Sequence, residues 1–292
     1  MSSPSGTSTD FLAAMARSSH ERVVQARAMT PQTQLAALVS ALPDAPRLSL
    51  SRRGFDLIAE VKLRSPAAGQ LKAGNEDIVA RVGAYAEAGA AAISVLTEPS
   101  RFDGALSHLT QAVSALAGHI PAMRVPVMRK DFLVDPYQVF EARLAGAGGV
   151  LIILRMLDRV QIEALLEAVS QLRMFALLEA FDEEDLVLAA QLVREHREHA
   201  TLLVGVNCRD LTTLKVVPGR LEALAPMLPR AVPRVAESGV SSAADAARLS
   251  AHGYDVALVG SALMQAGEPL ALAAALLTAG RDAAAAAAPG RA

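Results

Sequence analysis

Eight short apolar runs recur along the chain, each followed by a longer stretch of helical periodicity, and this repeat restricts the fold more than any other feature. The runs cover residues 55–62, 91–96, 125–130, 149–154, 174–179, 202–207, 232–238 and 255–260. Several are nearly continuous in Val, Ile, Leu and Ala, as expected of parallel strands covered on both faces. The segments between them are long enough for crossover helices. Eight strands alternating with helices is the count that closes an α/β (β/α)8 TIM barrel. An open doubly wound sheet usually has fewer strands, and the Gly-x-Gly-x-x-Gly turn after the first strand is missing.

Helix start and stop signals fit the same repeat. Asn75 or Glu76 opens a segment reaching Gly89, Asp135-Pro136 opens one ending at Gly146, Asp182 to Asp185 place acids in a first turn, and Ser241 or Ser242 caps a segment ending at Gly253. Ahead of the first strand, residues 11–29 and 31–42 read as two helices. Such an extension plugs one barrel mouth or shares in substrate binding, and the pattern alone leaves both open. The alanine run and Pro-Gly-Arg-Ala end beyond Arg281 predict a flexible tail. The expected organisation is an N-terminal helical extension over 1–54, one barrel over 55–280 and a tail over 281–292, so the 292 residues make one domain plus additions.

Charge narrows the partners. Lys and Arg number 28 and Asp and Glu 30, a net charge of −2, so no global positive field exists to hold nucleic acid or an anionic membrane. An anionic ligand needs a local site. The single Cys208 excludes an intramolecular disulfide, and the six scattered His form no metal-ligand pair. Residues 1–10 lack the basic start and apolar run of a signal peptide, and the Ala/Leu-rich stretch 270–280 is shorter than the roughly 20 residues a bilayer requires. The expectation is a soluble, cytoplasmic protein. Aromatic residues are 3% of the chain, so the core is expected to be built from Ala, Val, Leu and Ile.

In a barrel of this kind chemistry gathers at the C-terminal strand ends. The first run ends in Glu60-Val61-Lys62, whose alternation sends both charged side chains inward. The third ends in Arg129-Lys130-Asp131-Phe132, the fifth in Glu179, the sixth in Asn207 followed by Arg209, and the seventh in Glu237-Ser238-Gly239. Any one of these could be a structural ion pair or a loop cap. Their coincidence at successive strand ends favours acid–base chemistry. Lysines crowded together out of water are expected to have lowered pKa values, and a desolvated Glu a raised one. Ser238-Gly239 and Gly260-Ser261 close the last two runs ahead of helical segments, where barrels commonly hold phosphate.

Five segments carry a resemblance that goes further. They are Ile58-Ala59-Glu60-Val61-Lys62 with Ser65-Pro66 and Gly69; Ile93-Ser94-Val95-Leu96-Thr97-Glu98 with Phe102-Asp103-Gly104; Pro126-Val127-Met128-Arg129-Lys130-Asp131-Phe132 with Asp135-Pro136-Tyr137-Gln138; Gly205-Val206-Asn207-Cys208-Arg209-Asp210-Leu211; and Ala236-Glu237-Ser238-Gly239-Val240. Together they resemble the indole-3-glycerol-phosphate synthase family over residues 55–269. The resemblance implies a barrel with a helical N-terminal segment. It also implies ring closure, decarboxylation and dehydration of 1-(2-carboxyphenylamino)-1-deoxyribulose 5-phosphate to indole-3-glycerol phosphate in tryptophan biosynthesis.

The same resemblance implies roles for particular residues. Lys130 would be the general acid of ring closure and Glu179 the acid/base of dehydration. Lys62 would bind the substrate carboxylate and donate a proton, with Glu60 and Asn207 positioning lysines and substrate hydroxyls. Arg209 and Glu237 would complete the polar ring. Phosphate would lie at Ser65, Gly239, Gly260 and Ser261 with Ser238 nearby, and the aromatic ring between Phe102, Phe132, Leu151, Leu211 and Pro66. No metal or organic cofactor is implied, and the chain is expected to be a monomer or weak homodimer acting on a phosphorylated small molecule.

Departures from the family pattern are few. Ala180-Phe181 follow Glu179 where a Val-His or similar pair is common, Cys208 replaces an Asn or Ser and is expected to be a buried small residue, and residues 118–124 lengthen a loop at the mouth away from the chemistry. A phosphoribosylanthranilate isomerase would share the phosphate end but typically uses a Cys/Asp pair and has no use for Lys62 and Lys130 together. A non-enzymatic barrel kept for binding or assembly would need none of the strand-end acids and bases.

Overall fold

Along the first strand, β1 (Asp56–Val61), side chains alternate between two environments: Leu57, Ala59 and Val61 join the shell under the helices, while Ile58 faces the interior. The same alternation recurs in β2 (Ala92–Leu96), β3 (Val127–Lys130), β4 (Gly149–Ile153), β5 (Phe175–Ala180), β6 (Thr201–Asn207), β7 (Arg234–Glu237) and β8 (Val256–Val259). All eight pair in parallel, each with its sequence neighbour, and β8 returns to β1 to close the barrel. These facts come from a computed structural model that describes residues 8–65, 69–70, 77–117 and 125–287. The eight expected runs are the eight barrel strands, trimmed or extended by a residue or two at their ends.

The interior is filled by Ile58, Ala92, Met128, Leu151, Phe175, Leu177, Leu203, Val235, Val256 and Leu258. It is a packed core with one aromatic ring, in keeping with the scarcity of aromatics. The outer shell holds the larger apolar cluster, where the strands meet α3 (Ile78–Glu87), α5 (Leu106–Ala117), α6 (Pro136–Leu144), α7 (Arg159–Gln171), α8 (Glu183–His196), α10 (Ala243–Ala251) and α12 (Pro269–Ala287); the shorter α4 (Pro99–Phe102), α9 (Arg220–Leu224) and α11 (Ser261–Gln265) follow β2, β6 and β8.

Local chemistry starts these helices where expected. Asp135 accepts from Tyr137 N with Pro136 in the first turn, Asp182 caps α8 ahead of Glu183, Glu184 and Asp185, and Ser242 with Asp245 forms a capping box. Asp77 is the cap of α3, one or two residues later than expected; Asn75 and Glu76 lie outside the described residues. The lengthened loop at 118–124 and the first seven residues also lie outside them. Two helices precede the barrel, α1 (Ser8–Met29) and α2 (Gln32–Ser40).

The C-terminal end corrects the expectation. The tail predicted to begin at Arg281 is helical through Ala287, because Arg281 donates to the Phe55 carbonyl at 3.0 Å and to the buried Asp56 carboxylate at 2.9 Å. Residues 288–292 lie outside the described residues. At 19 residues α12 is also longer than the apolar stretch foreseen, and by length and composition it could cross a bilayer. Here Ala273, Leu276, Leu277 and Gly280 on one face pack into the barrel wall instead.

Candidate active site

At the upper rim the inward-facing positions change from apolar to polar. Strand register brings them level: Asn207 lies beside Glu237, and Glu179 beside Gly205 and Ile153. Lys130 Nζ at the end of β3 lies 3.2 Å from Glu179 Oε1 and 3.4 Å from Glu237 Oε2. Lys62 Nζ lies 2.6 Å from Glu60 Oε1. Asn207 Nδ2 donates to the Glu179 oxygen that holds Lys130, at 2.9 Å, and its Oδ1 accepts from Arg209 N at 3.0 Å. Three carboxyl and two ammonium groups thus form one polar network.

The lysine protonation differs from the expectation that crowding would lower it. Burial pulls the Lys130 pKa down, but Glu179, Glu237 and Glu60 outweigh it and hold the ammonium well above its ordinary value. Lys62 is taken up by Glu60, so the two lysines are partitioned among carboxylates instead of facing each other. Burial raises Glu60, yet Lys62 and Lys130 bring it below the usual carboxylate range. Glu237 goes the other way: burial and the charge of Glu179 together exceed the pull of Lys130 and raise it well above the usual range. Among the described residues, one of its oxygens is buried without a hydrogen-bond partner.

This network forms one wall of a cavity of about 340 Å3. Apolar side chains line the cavity as well: Phe102, Phe132, Leu151 and Leu211 of the expected slot, and Leu96, Phe11, Leu12, Ile153 and Phe181 besides. Phe132 stands at the centre of the rings, 6.1 Å from Phe102 and 5.9 Å edge-on from Phe11. Phe181 is fixed from behind by the Arg155 guanidinium, 4.9 Å from its centroid, which also pairs with Asp185. Four of the seven phenylalanines therefore line this cavity. In a chain so poor in aromatics, that concentration was a usable signal for Phe11 and Phe181.

Ser238, Gly239, Gly260 and Ser261 border the same cavity at the ends of β7 and β8, with Arg209 close by. Ser238 and Gly239 both take left-handed backbone, φ 67° and 72°, which turns the chain sharply after Glu237. Ser65 lies in a two-residue ribbon pairing Arg64–Ser65 with Gly69–Gln70, and Pro66 lies outside the described residues. Cys208 is buried, and burial raises its thiol pKa, as suits a packing residue more than a nucleophile.

Two supports went unforeseen. A side-chain carbon on Gly205 would overlap the Glu237 carboxylate, and one on Gly260 would overlap that of Glu60. Asp131, next to Lys130, is a buried hub that accepts from Arg22 of α1, Thr97 and Arg129. Burial works against its charge, but these donors hold its carboxyl well below the usual range.

Comparison with known proteins agrees with this geometry. The sequence profile of indole-3-glycerol phosphate synthase matches residues 12–276. The indole-3-glycerol phosphate synthase of Parafrankia sp. (strain EAN1pec) is 43% identical over 255 residues, covering 85% of this chain and 89% of that one. That of Opitutus terrae is 40% identical over 245 residues, covering 82% and 88%. Among solved structures, 3-hexulose-6-phosphate synthase from Salmonella typhimurium superposes with a TM-score of 0.58 at 14% identity, covering 80% of this chain and 100% of that one. Thiamine phosphate pyrophosphorylase from Pyrococcus furiosus does so at 0.56 and 17%, covering 80% and 99%. These two show the barrel fold alone. The profile match and the relatives establish that the chain belongs to the indole-3-glycerol phosphate synthase family, the carboxy-lyases of tryptophan biosynthesis.

Proposed function

We propose that Lys130 is the general acid of ring closure in this enzyme, and that the carboxylates around it divide the remaining proton transfers. The observation that carries this reading is the Lys130 ammonium held between Glu179 and Glu237, in one cavity with apolar and aromatic side chains that suit an aromatic ring. The substrate ring lies between Phe102, Phe132, Leu151 and Leu211, with Phe11 and Phe181 closing the slot, and its carboxylate faces Lys62. Phosphate sits at Ser238, Gly239, Gly260 and Ser261, with Ser65 contributing from the loop after β1. Arg209 closes the polar side.

In the first step the ring carbon bearing the carboxylate attacks the ketone carbon of the sugar chain. The electron pair of the carbonyl moves onto oxygen, and Lys130 supplies its proton. A strongly held proton is suited to this task, because the developing alkoxide is far more basic than an amine and is stabilised by the ammonium before transfer. Carbon dioxide then leaves with the bond to the ring, restoring aromaticity. In the last step Lys62 gives a proton to the new hydroxyl, which departs as water, while Glu179 takes the proton lost from the adjacent carbon. Glu60 and Asn207 keep Lys62 and Glu179 in place. Glu237 enters with its proton and holds a substrate hydroxyl.

The test is direct. Purified protein given the carboxyphenylamino-deoxyribulose phosphate should yield a product with indole fluorescence, with and without a chelator. Lys130→Ala should lower kcat/KM about a thousandfold, roughly 4 kcal/mol of transition-state stabilisation, with unchanged circular dichroism. Near-normal turnover in that variant would remove Lys130 from the role. Absence of any indole product from the wild type would overturn the whole assignment.

A further inference from the structure

We infer that the Arg22–Asp131 ion pair is a latch that seats α1 over the cavity, making Arg22 a positioning residue for substrate binding. The inference rests on the reading of the cavity as the substrate site.

Both terminal nitrogens of Arg22 donate to Asp131, one to each carboxylate oxygen, at 2.9 and 2.8 Å. The partners are 109 positions apart in sequence. This two-pronged geometry fixes direction as well as distance, which a single contact would not. The Asp131 side chain is fully buried, and its chain neighbours are Lys130 and Phe132. The latch therefore grips the chain between the general acid and the central ring of the slot.

On the helix side, Arg22 lies eleven positions beyond Phe11, about 16 Å along a rigid rod. Phe11 and Leu12 border the cavity, and the Phe11 ring meets Phe132. Rocking of α1 about Arg22 would move Phe11 out of the slot. Other polar contacts of α1 converge on the same segment: Gln138 donates to Ser19 at 2.8 Å, Tyr137 to the carbonyls of Ala26 and Thr30, and Arg27 to Asp135. Arg27 is 44% exposed, so its pair contributes little. The Arg22 pair is the more enclosed of the two, with Arg22 25% exposed and Asp131 fully buried.

Removing Arg22 does not strand Asp131. The carboxylate keeps the Arg129 guanidinium at 3.1 Å, the Thr97 hydroxyl at 2.7 Å and the Phe132 amide at 2.8 Å. Leu12, Met15 and Val23 still bury against the barrel. An Arg22→Ala chain should therefore fold with an intact β3 end and a loosened α1.

The experiment compares the full-length wild type with Arg22→Ala, Arg22→Lys, Phe11→Ala and the Arg22→Ala/Phe11→Ala double variant. Steady-state kinetics with the carboxyphenylamino-deoxyribulose phosphate are read beside hydrogen exchange of the α1 amides. Arg22→Ala should raise KM about tenfold with kcat within about threefold, and Arg22→Lys should recover part of the loss. Phe11→Ala should raise KM too, and the double variant no more than the worse single, because the latch acts through that ring. Exchange in α1 should quicken in Arg22→Ala while the barrel strands keep their protection. An unchanged KM in Arg22→Ala, or additive effects in the double variant, would overturn the latch. A wild type that does not turn this substrate over would refute the functional reading instead; the latch would then stand or fall on the exchange of α1 alone.

Discussion

A methyl group on Gly205 would take the space of the Glu237 carboxylate, and one on Gly260 that of Glu60. The two acids lie flat against neighbouring strands, and only a residue without a Cβ leaves them room. Gly205→Ala should push Glu237 away from Lys130 and lower kcat/KM about ten- to a hundredfold, roughly 1.4 to 2.7 kcal/mol. Fluorescence assays of indole formation check this, and unchanged kinetics would show that Glu237 needs no such wall. The polar residues Glu60, Lys62, Lys130, Glu179, Asn207 and Glu237 were legible in the sequence because they stand where apolar runs end. The sign of the Lys130 shift was not. It depends on which charges strand register sets beside the ammonium, and the nearest proved to be carboxylates on β5 and β7, not the lysine after β1.

At the scale of elements, periodicity located every barrel strand, since a doubly covered parallel strand is written as a continuous apolar run. Contacts made by the flanking helices were hidden for the converse reason. Arg22 and Asp131 find each other across more than a hundred residues, and no local pattern records that pairing. The same holds at the other terminus, where the alanines after 281 look featureless but Arg281 reaches back to β1. Asp56 is buried, with Ser51 N as its other partner at 2.6 Å. Arg281→Ala would leave that carboxylate short of its countercharge, costing about 1–3 kcal/mol. Thermal unfolding should show a melting temperature lower by several degrees, about 2–4 °C per kcal/mol for a chain of this size, while kcat and KM of the folded protein stay as in the wild type. A melting temperature unchanged from wild type would mean the end of α12 adds nothing to closure.

Over the whole molecule, the barrel's stability and its chemistry occupy different levels. The lower and middle layers are apolar and the outer shell is well packed, whereas the upper rim gathers buried charges whose ionisation folding perturbs in both directions. Asp131 and Glu60 have depressed folded pKa values, so the stability they contribute is present above their unfolded values and is lost as pH falls through the folded ones. Glu237 has the opposite sign. The folded chain keeps a proton on it that the unfolded chain releases above its ordinary value near 4.5, so this group removes stability as pH rises from there through its raised folded pKa. Glutamine mimics the protonated form at every pH. Glu237→Gln should therefore match the wild-type melting temperature in acid, below the unfolded value, and exceed it by a margin that grows toward neutral pH and then levels off. The same substitution should reduce turnover, since the amide is a weaker hydrogen-bond donor to the substrate hydroxyl than the protonated carboxyl. Melting curves across that pH range decide the point: a gap that is constant with pH, or one that widens toward acid, would mean Glu237 is ionised in the resting site and that its cost is repaid by Lys130 instead of being borne for catalysis.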